Sequence, residues 1–410
     1  MHIIAVGAGP SGLCLALLLG KAGIKTTLLD TGSTIDDRPR AAHYAPSAIR
    51  VLRAAGVLED VRRLGFLPGN MTWRKIDGTP IASIKDTAET RGPEGLTVLP
   101  LNLLGKVLLD HAEKNTNITI KWNHNVVGVG QDDTSAWAIV RAEDGTETKY
   151  SGDYLSGCDG ANSQVRKSLF GESFPGKTWD AQIVATNVYY PLDKLGLDEI
   201  NNIIHPTDYY MAAKITRDGL WRVSYGEDPN LSHAEVVAHQ PAKFARMLPG
   251  NPKPEDYKLT NVGPYRIHQR CADKMTVGRI TLAADAAHLC NPFGGMGLTG
   301  GLVDVGDLAD CLVGIDQGLA EPQILEKYCE IRRQKWRDVI DPISSGNFIR
   351  VSATDPERAR EVDPFLEMVK KMETDAVLRK EFDDSVYDIC HDFKQYYKGA
   401  QRVTANELKL

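Results

Sequence analysis

Residues 2–12, His2-Ile3-Ile4-Ala5-Val6-Gly7-Ala8-Gly9-Pro10-Ser11-Gly12, decide the reading of the fold. The apolar run at 2–6 predicts a buried strand and Ser11 to Gly20 predicts a helix, so the glycines occupy a tight strand-to-helix turn. Gly7 permits that turn, Gly9 lets the backbone approach a pyrophosphate, and Gly12 lets the helix lie close against the strand. The unpaired N–H groups where the helix begins, from Ser11 onward, face the same point, so the loop is an anion cradle. A second apolar strand, Thr26 to Leu29, ends in Asp30, whose carboxylate suits a ribose 2′-hydroxyl and would repel a 2′-phosphate.

The rest of the chain sets the scale. With 410 residues, 42% of them hydrophobic, it can bury a large core divided among two or three domains. A net charge of −6 with no long basic run argues against a nucleic-acid partner. Seven scattered cysteines without CxxC spacing suggest neither a zinc site nor a disulfide framework and fit a reducing, cytoplasmic setting. Leu13 to Leu19, the most apolar stretch, is too short to span a membrane, so no membrane anchor and no signal segment are expected.

Two later stretches return to the same sheet. Tyr154 to Cys158 reads as a strand that ends in Asp159-Gly160, with a helix after Ser163. Arg279 to Ala283 reads as another strand and ends in Asp285, a carboxylate able to bind a polyol, with small residues around it. The bare loop Asn291 to Gly301 follows, and the helix expected at 299–313 points its positive end at whatever lies before it. Between these segments, 40–55 and 101–115 show helical spacing, and 118–129, 136–142 and 146–150 read as strands with an Asp144-Gly145 turn. β-Branched and aromatic residues alternate with polar ones over 181–190 and 209–225, which predicts a second, more antiparallel sheet.

These three segments resemble those of the single-component FAD-dependent aromatic hydroxylases, the para-hydroxybenzoate hydroxylase-like flavoprotein monooxygenases. The resemblance extends from residue 1 to about residue 340 and implies an α/β fold. A Rossmann-like FAD-binding domain (1–80, 98–175 and 270–340) would hold an inserted mixed β-sheet substrate domain (81–97 and 176–269), followed by a helical C-terminal segment (341–410). It implies that Gly7, Gly9, Pro10, Ser11, Gly12 and Asp30 hold the ADP half of FAD. Asp159 with Gly160 would serve FAD and NAD(P)H, Asp285 the ribityl chain, and Arg40 would lie beside the flavin. Pro292, Gly294, Gly295, Gly297, Leu298 and Thr299 would abut the ring and leave space for O2 to add at its C4a carbon. NADPH or NADH would then be a transient co-substrate. Cys158, Ala284 and Thr299 depart from the family's more usual small residue, Gly and Asn, and Asn102 stands near where relatives carry Arg or Gln.

For the substrate, a small aromatic molecule, the second sheet offers Tyr209, Tyr210, Trp221, Arg222 and Tyr225 as lining groups. His43 and His288 lie within flavin-associated motifs and titrate near neutrality, so either could relay a proton. Arg40, His43, Pro292, Arg222 and Tyr225 form the expected catalytic set, with no metal. Epoxidation, Baeyer–Villiger insertion or a non-catalytic dinucleotide-binding role are the alternative readings, and a homodimer is the assembly allowed for.

Overall fold

The computed structural model describes residues 1–36, 40–85 and 92–399. Its first sheet has six strands, ordered Thr276–Val277, Ile280–Leu282, Tyr154–Gly157, β1 (His2–Val6), β2 (Lys25–Leu29) and Ile118–Lys121. All neighbours run parallel except the outer hairpin at 276–282. A parallel sheet is covered on both faces, which is why its strands are continuously apolar: Ile3, Ile4, Leu28, Leu29, Leu155 and Leu282 are all buried.

The helix α1 (Pro10–Lys21) is apolar on nearly every side, because it is wedged between this sheet, the Leu101–Glu113 helix and the long Met296–Asp316 helix. A three-stranded antiparallel sheet (Asn125–Gln131, Ala136–Arg141, Glu147–Gly152) lies beside it, with Gly145 in its hairpin turn at φ 84°. The single strand expected at 118–129 is two strands in two sheets: Asn123 takes a φ of 58° and redirects the chain. The helix expected from residue 40 begins only at Pro46, since a residue preceding proline disfavours helical torsions. His43–Tyr44 instead pairs with Thr97–Val98.

The second lobe is an eight-stranded sheet. Its order is His288–Leu289, Lys258–Cys271, Gly176–Tyr189, Leu220–Glu227, Tyr210–Lys214, Ile200–Ile204, Met71–Lys75, Pro80–Ile84. The division expected at residues 80/81 runs through the hairpin made by the last two strands, and both belong to this sheet. One face packs on the His233–Met247 helix through Val223, Tyr225 and Phe244. The other faces the Pro292 loop and the Asp341–Ala353 helix through Ile183, Tyr209, Phe293 and Phe348.

Beyond residue 340 the chain is helical, at 341–353, 364–371 and 376–385, and Leu366 and Val369 pack under Trp73, Ala82 and Ile204. The expected C-terminal segment extends past residue 399, outside the described residues. Among those described, no helix is long and apolar enough to cross a membrane.

Candidate functional site

The glycine turn takes the form its spacing predicts. Gly7 has a φ of +100°, and a Cβ there would lie 2.5 Å from the Cys158 carbonyl oxygen; one at Gly12 would lie 1.9 Å from the Gly7 oxygen. These two glycines let β1, α1 and the Cys158-Asp159 turn meet. Gly9 differs, because a Cβ there meets no atom within 4 Å. Its open side lies at the N-terminus of α1, which has no side-chain cap and no acidic residue in its first turn, so that end carries uncompensated positive character. Asp30, at the end of β2, accepts from the Ala8 N–H (2.6 Å) and the Gly32 N–H (2.8 Å) and so holds the loop's rim.

Asp159 accepts from the Ser163 hydroxyl (2.5 Å) and the Val165 N–H (3.1 Å). Burial pushes its carboxyl above the usual range, with those hydrogen bonds opposing the shift. Its contacts serve the start of the Gln164–Phe170 helix, and the adjacent Gly160 takes a φ of 76°.

Asp285 is the contrasting acid. It accepts no hydrogen bond from any described residue; burial raises its pKa, and the charges of His288 and Arg40 pull the other way. Arg40 is half-exposed and pairs with Asp36 (2.8 Å), so it stands at the mouth of the site with its charge felt at Asp285. Asn102 lies in the first turn of the Leu101–Glu113 helix.

The loop after Asp285 is braced from the second lobe. Pro292 opens a short turn in which Asn291 Oδ1 accepts from the Phe293 N–H, and Gly295 takes a φ of 62°. Gln269 accepts from the Asn291 N–H (2.6 Å) and donates to Asp341 and Ser344, fixing the loop between two elements. The helix that follows starts at Met296, earlier than the expected 299, and its N-terminus has neither a side-chain cap nor a first-turn acid. Gly297 and Leu298 lie in that first turn; Thr299 beside them is buried and its Oγ1 has no partner.

Alternation along Leu220–Glu227 sorts the expected substrate residues onto two faces. Arg222 pairs in register with Asn187 and Ala213, and Ser224 with Ala185 and Met211, on the face toward the Pro292 loop. Tyr209 shares that face, its ring centroid 6.0 Å from those of Phe293 and Phe348. Trp221, Tyr225 and Tyr210 lie on the opposite face, in the core against Phe244. Tyr225 is therefore not a neighbour of Arg222: with a period of two, positions 222 and 225 point to opposite sides of the sheet.

Around Arg222 the structure assembles groups from three segments. Its Nε donates to Asn187 Oδ1 (2.6 Å), and no carboxylate among the described residues pairs with it. Burial lowers its pKa, and the charge interaction with Tyr265 partly offsets this. Tyr265 is partly exposed as a residue (38%), but its hydroxyl end is desolvated, which raises the phenol to about 12. His43 is held near pKa 4, first by burial and then by the Arg222 charge, and its Nε2 has no partner. Asn187, Tyr265 and Gln269 escaped the sequence reading; Asn187 is one of several polar residues in its strand, so nothing in the sequence singled it out. His288, the other expected relay, is buried with Nε2 2.7 Å from Asp304 and is committed to that pair.

FAD fits these residues. The open side of Gly9 accommodates a backbone-hugging pyrophosphate, the unpartnered Asp285 suits a polyol, and the orphaned Thr299 Oγ1 sits beside an uncapped helix start able to face a flavin ring.

Comparison with known proteins agrees. The family model described as "FAD binding domain" matches residues 1–342. The chain is 36% identical to para-nitrophenol 4-monooxygenase of Pseudomonas sp. (strain WBC-3), over 93% of this chain and 94% of that protein. It is 33% identical to 6-hydroxy-3-succinoylpyridine 3-monooxygenase HspB of Pseudomonas putida (strain DSM 28022 / S16), covering 84% and 88%. The crystal structure of p-nitrophenol 4-monooxygenase PnpA from Pseudomonas putida DLL-E4 superposes with a TM-score of 0.87 at 34% identity, covering 94% of this chain and 97% of that one. On this evidence the chain belongs to the FAD-dependent aromatic hydroxylases and is a flavoprotein monooxygenase.

Proposed function

We propose that the enzyme hydroxylates a small phenol bound as its anion between the Arg222 face of the second sheet and the Pro292 loop. The observation that carries this reading is Arg222 itself. A guanidinium withdrawn from water with no carboxylate partner is costly alone and is satisfied by an anionic ligand. Asn187 fixes the plane of that guanidinium by accepting from Nε, leaving the terminal nitrogens for the phenolate oxygen.

His43 adds a hydrogen-bond acceptor. It is neutral at physiological pH because burial and Arg222 both oppose its charging, so its free Nε2 can accept a hydrogen bond from the hydroxyl of a phenol arriving un-ionised and orient it, while Arg222 favours the anion. Tyr209, Phe293 and Phe348 form an apolar wall that holds the ring and keeps bulk water out.

Gly7, Gly9, Pro10, Ser11, Gly12 and Asp30 would hold the ADP half of FAD, and Asp159 supports their turn. Asp285 would bind the ribityl hydroxyls, with Arg40 at the mouth of the site. Pro292, Gly295, Gly297, Leu298 and Thr299 would border the ring. FAD, when bound, supplies the redox and oxygen-transfer chemistry. Overall, a phenol, O2, NADH or NADPH and a proton give the dihydroxylated ring, water and the oxidised coenzyme. Its demand for reduced coenzyme and the seven unpaired cysteines favour the cytoplasm.

The test is coenzyme consumption by the FAD-loaded enzyme across a panel of phenols, starting from 4-nitrophenol because of the relatives above. Consumption stimulated by a phenol, with one oxygen atom from O2 in the product, supports the reading, whether that oxygen replaces a ring hydrogen or, at the nitro-bearing carbon of 4-nitrophenol, displaces nitrite to leave the quinone. Oxygenation only of ketones or alkenes would replace it with the corresponding insertion or epoxidation.

A further inference from the structure

Among the buried charged groups that have no part in this reading, one lies directly behind Asp285 in the fold. Asp304, on the Met296–Asp316 helix, has no solvent exposure. Its Oδ2 accepts from the Ala284 backbone N–H (2.9 Å) and contacts His288 Nε2 (2.7 Å), while Oδ1 accepts from Arg332 Nε (2.7 Å). Arg332 is equally buried and is held in turn by Asp307 (3.0 Å) and the Ile389 carbonyl (2.6 Å). Burial works against the Asp304 charge, but His288 and Arg332 outweigh it and hold the carboxyl near pKa 2, so the group stays ionised across the working range.

What Asp304 grips is a strained turn. Ala284 has a φ of +57°; the other non-glycine residues with positive φ among those described are Asn123 and Asn251, whose type tolerates this region. An alanine has no polar side chain to stabilise that conformation, and its methyl is crowded as well. A Cβ built on Gly301 would come within 2.7 Å of it, so the opposing position has to be bare. The two ends of the turn, the Ala284 N–H and the His288 ring, converge on one carboxylate oxygen, and Asp285 lies between them.

We infer that Asp304 is a positioning residue for the cofactor: it clamps the 284–288 turn from behind and thereby presents the Asp285 carboxylate to the ribityl chain of FAD. This rests on the reading of Asp285 as a FAD ligand.

The test is FAD affinity of the apo-protein, read from quenching of FAD fluorescence, with circular dichroism melts of every variant. D285N examines the underlying reading and should weaken FAD binding at least tenfold. D304N should weaken it at least tenfold too. In D304N/A284G the turn no longer needs a clamp, because glycine adopts φ near +57° without strain. That double variant should recover at least half of the loss on a logarithmic scale, beyond any change A284G makes in the wild-type background. D304N binding FAD within twofold of wild type, or a double variant as weak as D304N, overturns the inference while a weakened D285N leaves the site intact. If D304N does not fold, H288Q decides, since it releases one end of the turn and keeps the Asp304–Arg332 pair. A threefold or greater loss restored by A284G supports the clamp, and any other outcome refutes it.

Discussion

Arg222→Gln isolates the charge on which the substrate reading depends. At an effective dielectric constant of about 20, a phenolate whose charge sits ~4 Å from the guanidinium gains about 4 kcal/mol. Stripping water from the anion returns part of this, which brings the net to about 1.5–3 kcal/mol, the usual range for a hydrogen bond to a charged group. Loss of that amount corresponds to ~10–150-fold weaker binding. Titrating the oxidised, FAD-loaded enzyme and following the flavin absorbance gives the dissociation constant directly. 4-Nitrophenol above its own pKa and 4-nitroanisole, its uncharged methyl ether, form the informative pair. The anion should lose affinity in the stated range, and the ether should change less than threefold. Arg222→Lys should fall between, since an ammonium keeps the charge but has no Nε to engage Asn187. Equal losses for the two ligands, or less than a threefold loss for the anion, would refute the argument and leave Arg222 as a packing residue.

Gly9→Val should leave the apo-protein's melting temperature nearly unchanged, because its Cβ meets open space, yet should abolish measurable FAD binding at micromolar concentrations. Gly12→Ala is the opposite case: a Cβ 1.9 Å from the Gly7 oxygen forces β1 and α1 apart, and denaturant unfolding should show a loss of about 3 kcal/mol or more. His43 gives a pH signature in urea unfolding of the apo-protein. Its folded pKa of about 4 lies below the ordinary 6.5, so the folded state binds fewer protons between those values. Stability is complete above about pH 6.5 and falls by up to about 3 kcal/mol as pH drops toward 4, and His43→Gln should flatten that slope. Arg332→Met should destabilise by ~3–5 kcal/mol, since it leaves Asp304 and Asp307 buried without their cation.

The cofactor side was legible in the sequence because its chemistry is carried by main chain and by contiguous residues. Gly7 to Gly12, Cys158 to Gln164 and Ala283 to Thr299 each combine a strand end, a bend and a helix start, and each can be read within a single contiguous stretch. Hairpins joined by tight turns, such as the one at Asp144-Gly145, were legible for the same local reason. Where the reading slipped, a single torsion decided. Asn123 at positive φ broke one expected strand into two sheets, and Pro46 delayed a helix and released His43–Tyr44 to pair with a strand fifty residues away. The role of Asp304 was equally out of reach, since nothing near residue 304 points to the torsion of Ala284.

The substrate side was less legible because it depends on which face of a sheet a residue occupies, and parity alone does not say which face is covered by what. Trp221, Arg222 and Tyr225 looked like one candidate surface. The His233–Met247 helix claims Trp221 and Tyr225 for its core, and that assignment delivers Arg222 to the opposite side. Once Arg222 is placed, register rather than sequence proximity selects its neighbours: Asn187 lies beside it across the sheet, and Tyr265 comes from the strand beyond. His43 arrives from the other lobe. No two of these four groups lie within thirty positions of each other in the chain. A one-residue slip of Leu220–Glu227 would carry Trp221 into the cleft and Arg222 into an apolar core, where an unpaired guanidinium would be more costly still. The apolar partners of Trp221 and Tyr225 in the core and the polar partner of Arg222 in the cleft therefore specify one register together, and the cost of burying that charge is kept where a ligand can offset it.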